Sequence, residues 1–320
     1  MNGRALRAGL IGLGAMGRHH AAALQDTHGV ELAAVADPHG DRTLLPGVPL
    51  LPGVEELLAA GIDYAVVACP SALHEDVALR LAAAGVPALI EKPLATTAAG
   101  AARLADAFAA AGLPAAAGHV ERFNPALAAL REILATGDLG AALQITTRRE
   151  GPPSPRAAAC GVLLDLAVHD LDAVAWLTGQ DFDQLNTLTH PAYGGPTQAQ
   201  GAGEDHAVLA GRLTGGTLTS HTVNRLSPQR RRITSVLAEH GLLSADTLRG
   251  RLTLQTGTRP RTVALPDIDP LRHEHTAFLT LLRTGRAGNL ATLADGVRAV
   301  HLATGHPPRT TLPRTPPPAT

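Results

Sequence analysis

Residues 9–20 read GLIGLGAMGRHH, where a short apolar run, Leu6–Ile11, gives way to an alanine-rich segment. The run suits one buried strand and is too short for a helix. Glycines follow at 12, 14 and 17. Spaced Gly-x-Gly-x-x-Gly between a strand and a helix, they allow a tight turn, close approach of the backbone to a ligand, and close helix–strand packing, in that order. Ala15, Met16 and Gly17 would open the helix, where free N–H groups and the helix dipole favour a phosphate. Asp37 follows Gly17 by twenty residues, at the end of ELAAVAD. A carboxylate there takes both hydroxyls of an adenosine ribose and repels a 2′-phosphate. The expected cofactor is therefore NAD, with NADP disfavoured, although Arg42 nearby could blunt the preference.

The same alternation continues outward. Leu32–Ala36, Ile62–Ala68, Val86–Ile90 and Pro114–Ala117 are strand-like, and 16–25, 53–60, 73–84 and 97–111 are helix-like. Strands that alternate with helices and read as unbroken apolar runs imply a parallel sheet covered on both faces. The expected fold is α/β: a Rossmann doubly wound parallel sheet over 1–121, then an α/β domain over 122–304. In the second part, 125–135 and 161–177 read as helices and 141–149 as a strand. Segments 181–189, 205–213, 217–225, 231–238, 242–248 and 251–256 alternate in polarity, with hairpin turns at Gly215-Gly216 and Glu239-His240-Gly241. They predict a large, open, antiparallel-rich sheet. Helices over 271–283 and 292–303 close the domain, and 305–320 is a proline-rich tail of disordered composition.

Composition narrows the function. The 320 residues carry 27 basic and 28 acidic side chains, so no net field draws nucleic acid or an anionic membrane. No apolar run reaches membrane-spanning length. Two distant cysteines, Cys69 and Cys160, give neither a disulfide framework nor zinc spacing, which fits a reducing cytoplasm. The histidines show no ligand spacing, and no metal is expected. Aromatic residues make up 2% of the chain, so its cores must be built from Ala, Leu and Val.

In open parallel sheets, ligands sit beyond the carboxyl ends of the strands. Cys69, Pro70 and Ser71 end one strand, His74 follows, and Glu91-Lys92-Pro93 ends another. All are candidates to line the cofactor crevice with the glycine loop. A lysine at the end of a buried strand is costly unless paired or used. Glu91 either holds the strand-end geometry or faces the nicotinamide side.

The EKPL of residues 91–94, the upstream GLGAMGRHH and the later GVLLDLAVHDLDAVAWLTG together resemble the Gfo/Idh/MocA oxidoreductases. The resemblance runs from about residue 6 to 303. It implies hydride transfer between a nicotinamide cofactor and a secondary alcohol of a sugar or cyclitol. It also implies a catalytic set of Lys92, Asp165 and His169, and a homodimer or homotetramer. Physical chemistry agrees: positions 165 and 169 share a helix face. Imidazole is a natural base near neutral pH. An ammonium stabilises an alkoxide. GHVERFNP, RREGPPSPR and LLDLAVHDLD further resemble the branch that includes UDP-N-acetylglucosamine 3-dehydrogenases, except that Cys160 stands where that branch usually has aspartate. A nucleotide sugar needs cations for its pyrophosphate, so Arg149 and Arg156, with Arg122, are candidate substrate contacts, while Arg122 and Asn124 are candidates to touch the nicotinamide or the substrate. Inositol or a free sugar is the alternative substrate, and a non-catalytic NAD-bound sensor the alternative function.

Overall fold

A computed structural model describes residues 4–153, 160–190 and 203–305. The chain divides into two units: residues up to Val120 with Asp269–Val297, and Glu121–Ile268 with residues from Arg298 on.

The first unit holds a six-stranded, wholly parallel sheet. Its strands are β1 (Leu6–Ile11), β2 (Val30–Ala36), β3 (Leu50–Leu51), β4 (Tyr64–Val67), β5 (Ala88–Glu91) and β6 (Ala115–Gly118). They run in the order β3-β2-β1-β4-β5-β6, which is the doubly wound dinucleotide-binding topology. Helices α1 (Ala15–Gln25), α2 (Val54–Ala59), α3 (His74–Ala83) and α4 (Ala98–Ala110) follow their strands. The two-residue edge strand β3 has no counterpart in the sequence reading, because two leucines carry no periodicity. Leu10, Val66, Leu89 and Ile90 are fully buried in the centre.

In the second unit come α5 (Pro125–Ala135), β7 (Ala142–Glu150) and α6 (Val168–Thr178), then β8 (Phe182–His190), β9 (His206–Leu213), β10 (Leu218–Asn224), β11 (Arg231–Ala238), β12 (Gly241–Asp246), β13 (Arg251–Gln255) and β14 (Arg261–Val263). The eight strands lie in the order β14-β13-β12-β11-β7-β10-β9-β8. Every pairing is antiparallel except β10 with β7, which is parallel. Both expected hairpins form, with Gly216 at φ +90° in the first. One face packs Ile145, Val223, Val236 and Leu243 against Leu127 and Leu130 of α5 and Leu171 and Val174 of α6. The other face carries the exposed Leu188, Leu218, Leu237 and Leu242 among serines and threonines.

The sequence places helix α7 (Pro270–Thr284) in the second domain, but it clusters with the first unit. Its Phe278 stacks at 5.6 Å on Tyr64 of β4, and its His275 meets His20 of α1. The helical period shows that α7 has an apolar face, not which sheet receives it. The last helix is α8 (Leu293–Ala303). The tail beyond residue 305 lies outside the described residues. No described helix is long and apolar enough to cross a membrane.

Candidate active site

In the first unit, the glycine loop is built by steric exclusion. Gly12 has φ +94°, and a Cβ there would lie 2.6 Å from the backbone of Cys69. A Cβ on Gly17 would overlap the Gly12 carbonyl oxygen. At Gly14, by contrast, a Cβ would meet nothing within 4 Å. Gly12 and Gly17 therefore serve packing, and Gly14 faces open space. Gly14 is the N-cap of α1 and no side chain caps that helix, so the amides at Ala15, Met16 and Gly17 are placed for an anion. Asp37 ends β2, accepting the Leu13 N–H at 2.6 Å on Oδ2 and the His39 N–H at 2.8 Å on Oδ1. It ties the loop to the second strand while each oxygen retains a lone-pair site.

The ends of β4 and β5 are cross-braced. His74, nearly fully buried, has Nδ1 2.9 Å from the Pro93 carbonyl and Nε2 3.0 Å from the Cys69 carbonyl. Burial lowers the imidazole pKa, against the two carbonyl contacts that act to raise it. The expectation that His74 lines the cofactor crevice is corrected: both nitrogens are turned to the backbone. Burial pushes the Cys69 thiol up to about 12, which leaves it a poor nucleophile. Pro70 and Ser71 lead into a short 3-10 turn, Ser71–Leu73.

Glu91 resolves the alternative left open by its sequence. Oε2 accepts the Lys92 N–H at 3.0 Å, and Oε1 lies 2.9 Å from Nε2 of His20. Glu91 is buried and both oxygens are held by groups of the protein, so Glu91 shapes the strand end rather than the cofactor face. Burial alone would raise its pKa, but the His20 hydrogen bond and the nearby charges hold it below the usual value. Lys92, half-buried, follows directly. It is the only lysine in the chain. That count is a signal the motif reading passed over.

In the second unit, Asp165 lies in a π-helical turn, Leu163–Ala167, that runs into α6, with His169 in the first α-helical turn. Such turns recur at functional sites. The wider turn leaves positions four apart near one face, and both side chains are half-exposed. Their neighbours Asp170 and Asp172 turn inward. Arg149 donates to Asp170 and to Glu121, each at 2.9 Å, and Thr147 bridges Asp170 to His221. Arg122 grips Asp172 with two bonds, at 2.9 and 2.5 Å.

The substrate expectations for Arg122 and Arg149 are therefore corrected. They are 3% and 5% exposed, and their cations are committed to carboxylates inside the fold. Asn124 is the N-cap of α5, accepting from the Ala126 N–H at 3.0 Å ahead of Pro125. Arg156 lies outside the described residues. Among the described residues, no group of three or more His, Cys, Asp or Glu could hold a metal.

Residues 6–119 match the family described as "Oxidoreductase family, NAD-binding Rossmann fold", and residues 127–244 match its "GFO/IDH/MocA C-terminal domain". The chain belongs to the GFO/IDH/MocA oxidoreductases. The rhizopine catabolism protein MocA of Rhizobium meliloti is 36% identical over 191 residues, covering 57% of this chain and 60% of that one. An inositol 2-dehydrogenase of Pseudarthrobacter chlorophenolicus is 34% identical over 189 residues, 56% of each chain. The matches thus span less than two thirds of these relatives. The solved structure of UDP-N-acetylglucosamine 3-dehydrogenase GnnA from Acidithiobacillus ferrooxidans superposes with TM-score 0.81 at 27% identity, over 94% of this chain and 96% of that one.

NAD, the cofactor of the GFO/IDH/MocA fold, is compatible with the residues present: open space at Gly14, uncapped amides on α1, and spare lone pairs on Asp37. Two outcomes follow. Gly14→Val should fold normally, with an unchanged melting temperature, because its side chain enters empty space. It should weaken NADH by about tenfold or more, since forcing atoms into an occupied site costs about 1–3 kcal/mol. Fluorescence titration of NADH checks this, and unchanged affinity would place the phosphates elsewhere. Titration of the wild type with both reduced cofactors should show NADH bound more tightly than NADPH, because the Asp37 carboxylate repels a 2′-phosphate. The reverse order would show that a cation overrides it.

Proposed function

We propose that the protein is an NAD-dependent dehydrogenase of a ring secondary alcohol in a sugar or cyclitol. The observation that carries this reading is Lys92, the only lysine, set at the end of β5 with its amide held by a buried carboxylate. Asp165 and His169, half-exposed at the start of α6, supply the remaining groups the chemistry needs. When bound, NAD would supply the acceptor for the hydride leaving the alcohol carbon. His169 takes the hydroxyl proton, so that the C–O bond becomes a carbonyl. Lys92 stabilises the charge that grows on the oxygen. Asp165, on the same helix face, orients the imidazole.

A nucleotide-linked amino sugar, oxidised at its 3-hydroxyl, is the second reading, and the likeness to GnnA over nearly the full chain favours it. The commitment of Arg122 and Arg149 to internal carboxylates weighs the other way. Purified protein with NAD and a panel of UDP-N-acetylglucosamine, free N-acetylglucosamine and myo-inositol tests both. NADH formation with myo-inositol or a free sugar supports the first reading. Formation with the nucleotide sugar alone establishes the second. No NADH from any ring alcohol, with NAD bound, would favour a cofactor-bound sensor.

A further inference from the structure

Behind Lys92 lies a buried chain of three ionisable side chains drawn from three elements. Glu91 at the end of β5 is 5% exposed, His20 of α1 is 0% and His275 of α7 is 1%. Glu91 Oε1 lies 2.9 Å from His20 Nε2, and His20 Nδ1 lies 3.0 Å from His275 Nε2. The two rings meet edge to face, with centroids 5.1 Å apart. His74 and Lys92 are the other titratable groups acting on Glu91.

The partners dictate the tautomers. A carboxylate only accepts, so His20 donates from Nε2 and its Nδ1 accepts. His275 must then donate from Nε2, leaving its Nδ1 a bare lone pair, and no described group bonds that atom. The opposite arrangement would strand a buried N–H, which proteins rarely tolerate. Burial also pushes the His275 imidazole well below its ordinary pKa, so that ring is neutral. Packing alone does not account for such a chain, since apolar side chains would fill the same junction without desolvating a carboxylate.

We propose that His275, acting through His20, is a positioning residue for Lys92. Its Nε2 N–H donates to the Nδ1 lone pair that the Glu91 contact leaves on His20, and so holds that ring in place. His20 holds Glu91 ionised in one rotamer, and the second oxygen of Glu91 fixes the Lys92 main chain. This rests on the reading of Lys92 as the group that meets the substrate oxygen, and it adds two residues to that site.

The single lysine makes the test direct. The full chain is grown with [ε-13C]lysine, giving one side-chain resonance. Wild type is compared with His275→Gln, whose amide nitrogen can still donate to His20, and with His275→Leu, which fills the space without a donor. Wild type and His275→Gln should share one sharp Lys92 resonance. His275→Leu should displace or double it. In turnover, His275→Leu should lower kcat by about tenfold, the low end for groups that orient a reacting residue, with KM nearly unchanged. His275→Gln should stay close to wild type. An unmoved resonance in His275→Leu, or an equal displacement in both variants, overturns the proposal. If His275→Leu does not fold, His275→Met has the same reach without a donor and carries the same two outcomes. Should no substrate ever be found, the dehydrogenase reading fails alone, because the lysine resonance decides the positioning chain without turnover.

Discussion

Lys92→Met should lower turnover by about a hundredfold or more, the usual scale for losing a group that handles charge or protons in the transition state. Lys92→Arg should fall nearly as far. An ammonium is a compact point charge on a flexible stem, whereas guanidinium is a broad planar fork that does not fit the same oxygen. The composition sharpens this expectation. Of 27 basic residues, 26 are arginine, and the one lysine stands after Glu91 at the end of β5. A chain built almost wholly with arginine holds lysine at one position where arginine would keep the charge but lose the geometry. Steady-state kinetics on both variants, with NADH affinity measured alongside, checks this. Near-normal turnover in Lys92→Arg would mean that Lys92 supplies only general positive charge. His169→Ala should show a comparable loss while keeping NADH affinity, since His169 belongs to the other unit.

The second large effect is on stability. Arg149→Met should destabilise the protein by about 3–5 kcal/mol, the cost of leaving a buried ion-pair partner uncompensated. Asp170 loses its counter-charge, Glu121 keeps only the more distant Arg232 at 3.8 Å, and the chain from Thr147 to His221 loses its anchor. Burial alone would lower the pKa of Arg149, but the two carboxylates hold it above its ordinary value, so this cation does not titrate. The triple variant Arg149→Met, Asp170→Leu, Glu121→Leu should recover most of the loss, because the only cation left without its partner, Arg232, is half-exposed and can be solvated. Chemical denaturation of the three chains measures this. A selective loss of nucleotide-sugar binding in Arg149→Met, at unchanged stability, would restore the substrate role that the ion pairs argue against.

Much of the first unit was legible because its signals are local. Gly12, Gly14, Gly17 and Asp37 are separated by one strand–helix–strand unit, and the requirement for each is set within it. The errors share one cause. Residue type marks Arg122, Arg149 and His74 as site candidates, and type does not tell which way a side chain points. For Arg149 a signal did exist. Ile145 is buried, and the period of two along β7 carries Thr147 and Arg149 to the same inner face. For His20 the signal was helical: Gly17, His20, Ala21 and Leu24 form the buried stripe of α1, so a polar ring on that stripe needed a partner.

That partner was beyond the reach of sequence. His275 lies 255 residues away on a helix whose period shows an apolar face but not its destination. The sequence by itself determined what depends on neighbours along the chain: strand and helix order, the glycine turn, the acid that ends the second strand, and the lysine after the fifth. Only the tertiary structure decided which charges are spent on one another. Glu91 with His20, Arg149 with Asp170 and Arg122 with Asp172 are pairings between distant elements. A buried charge takes whichever partner the fold brings within hydrogen-bond distance, and that distance exists only once the elements have packed.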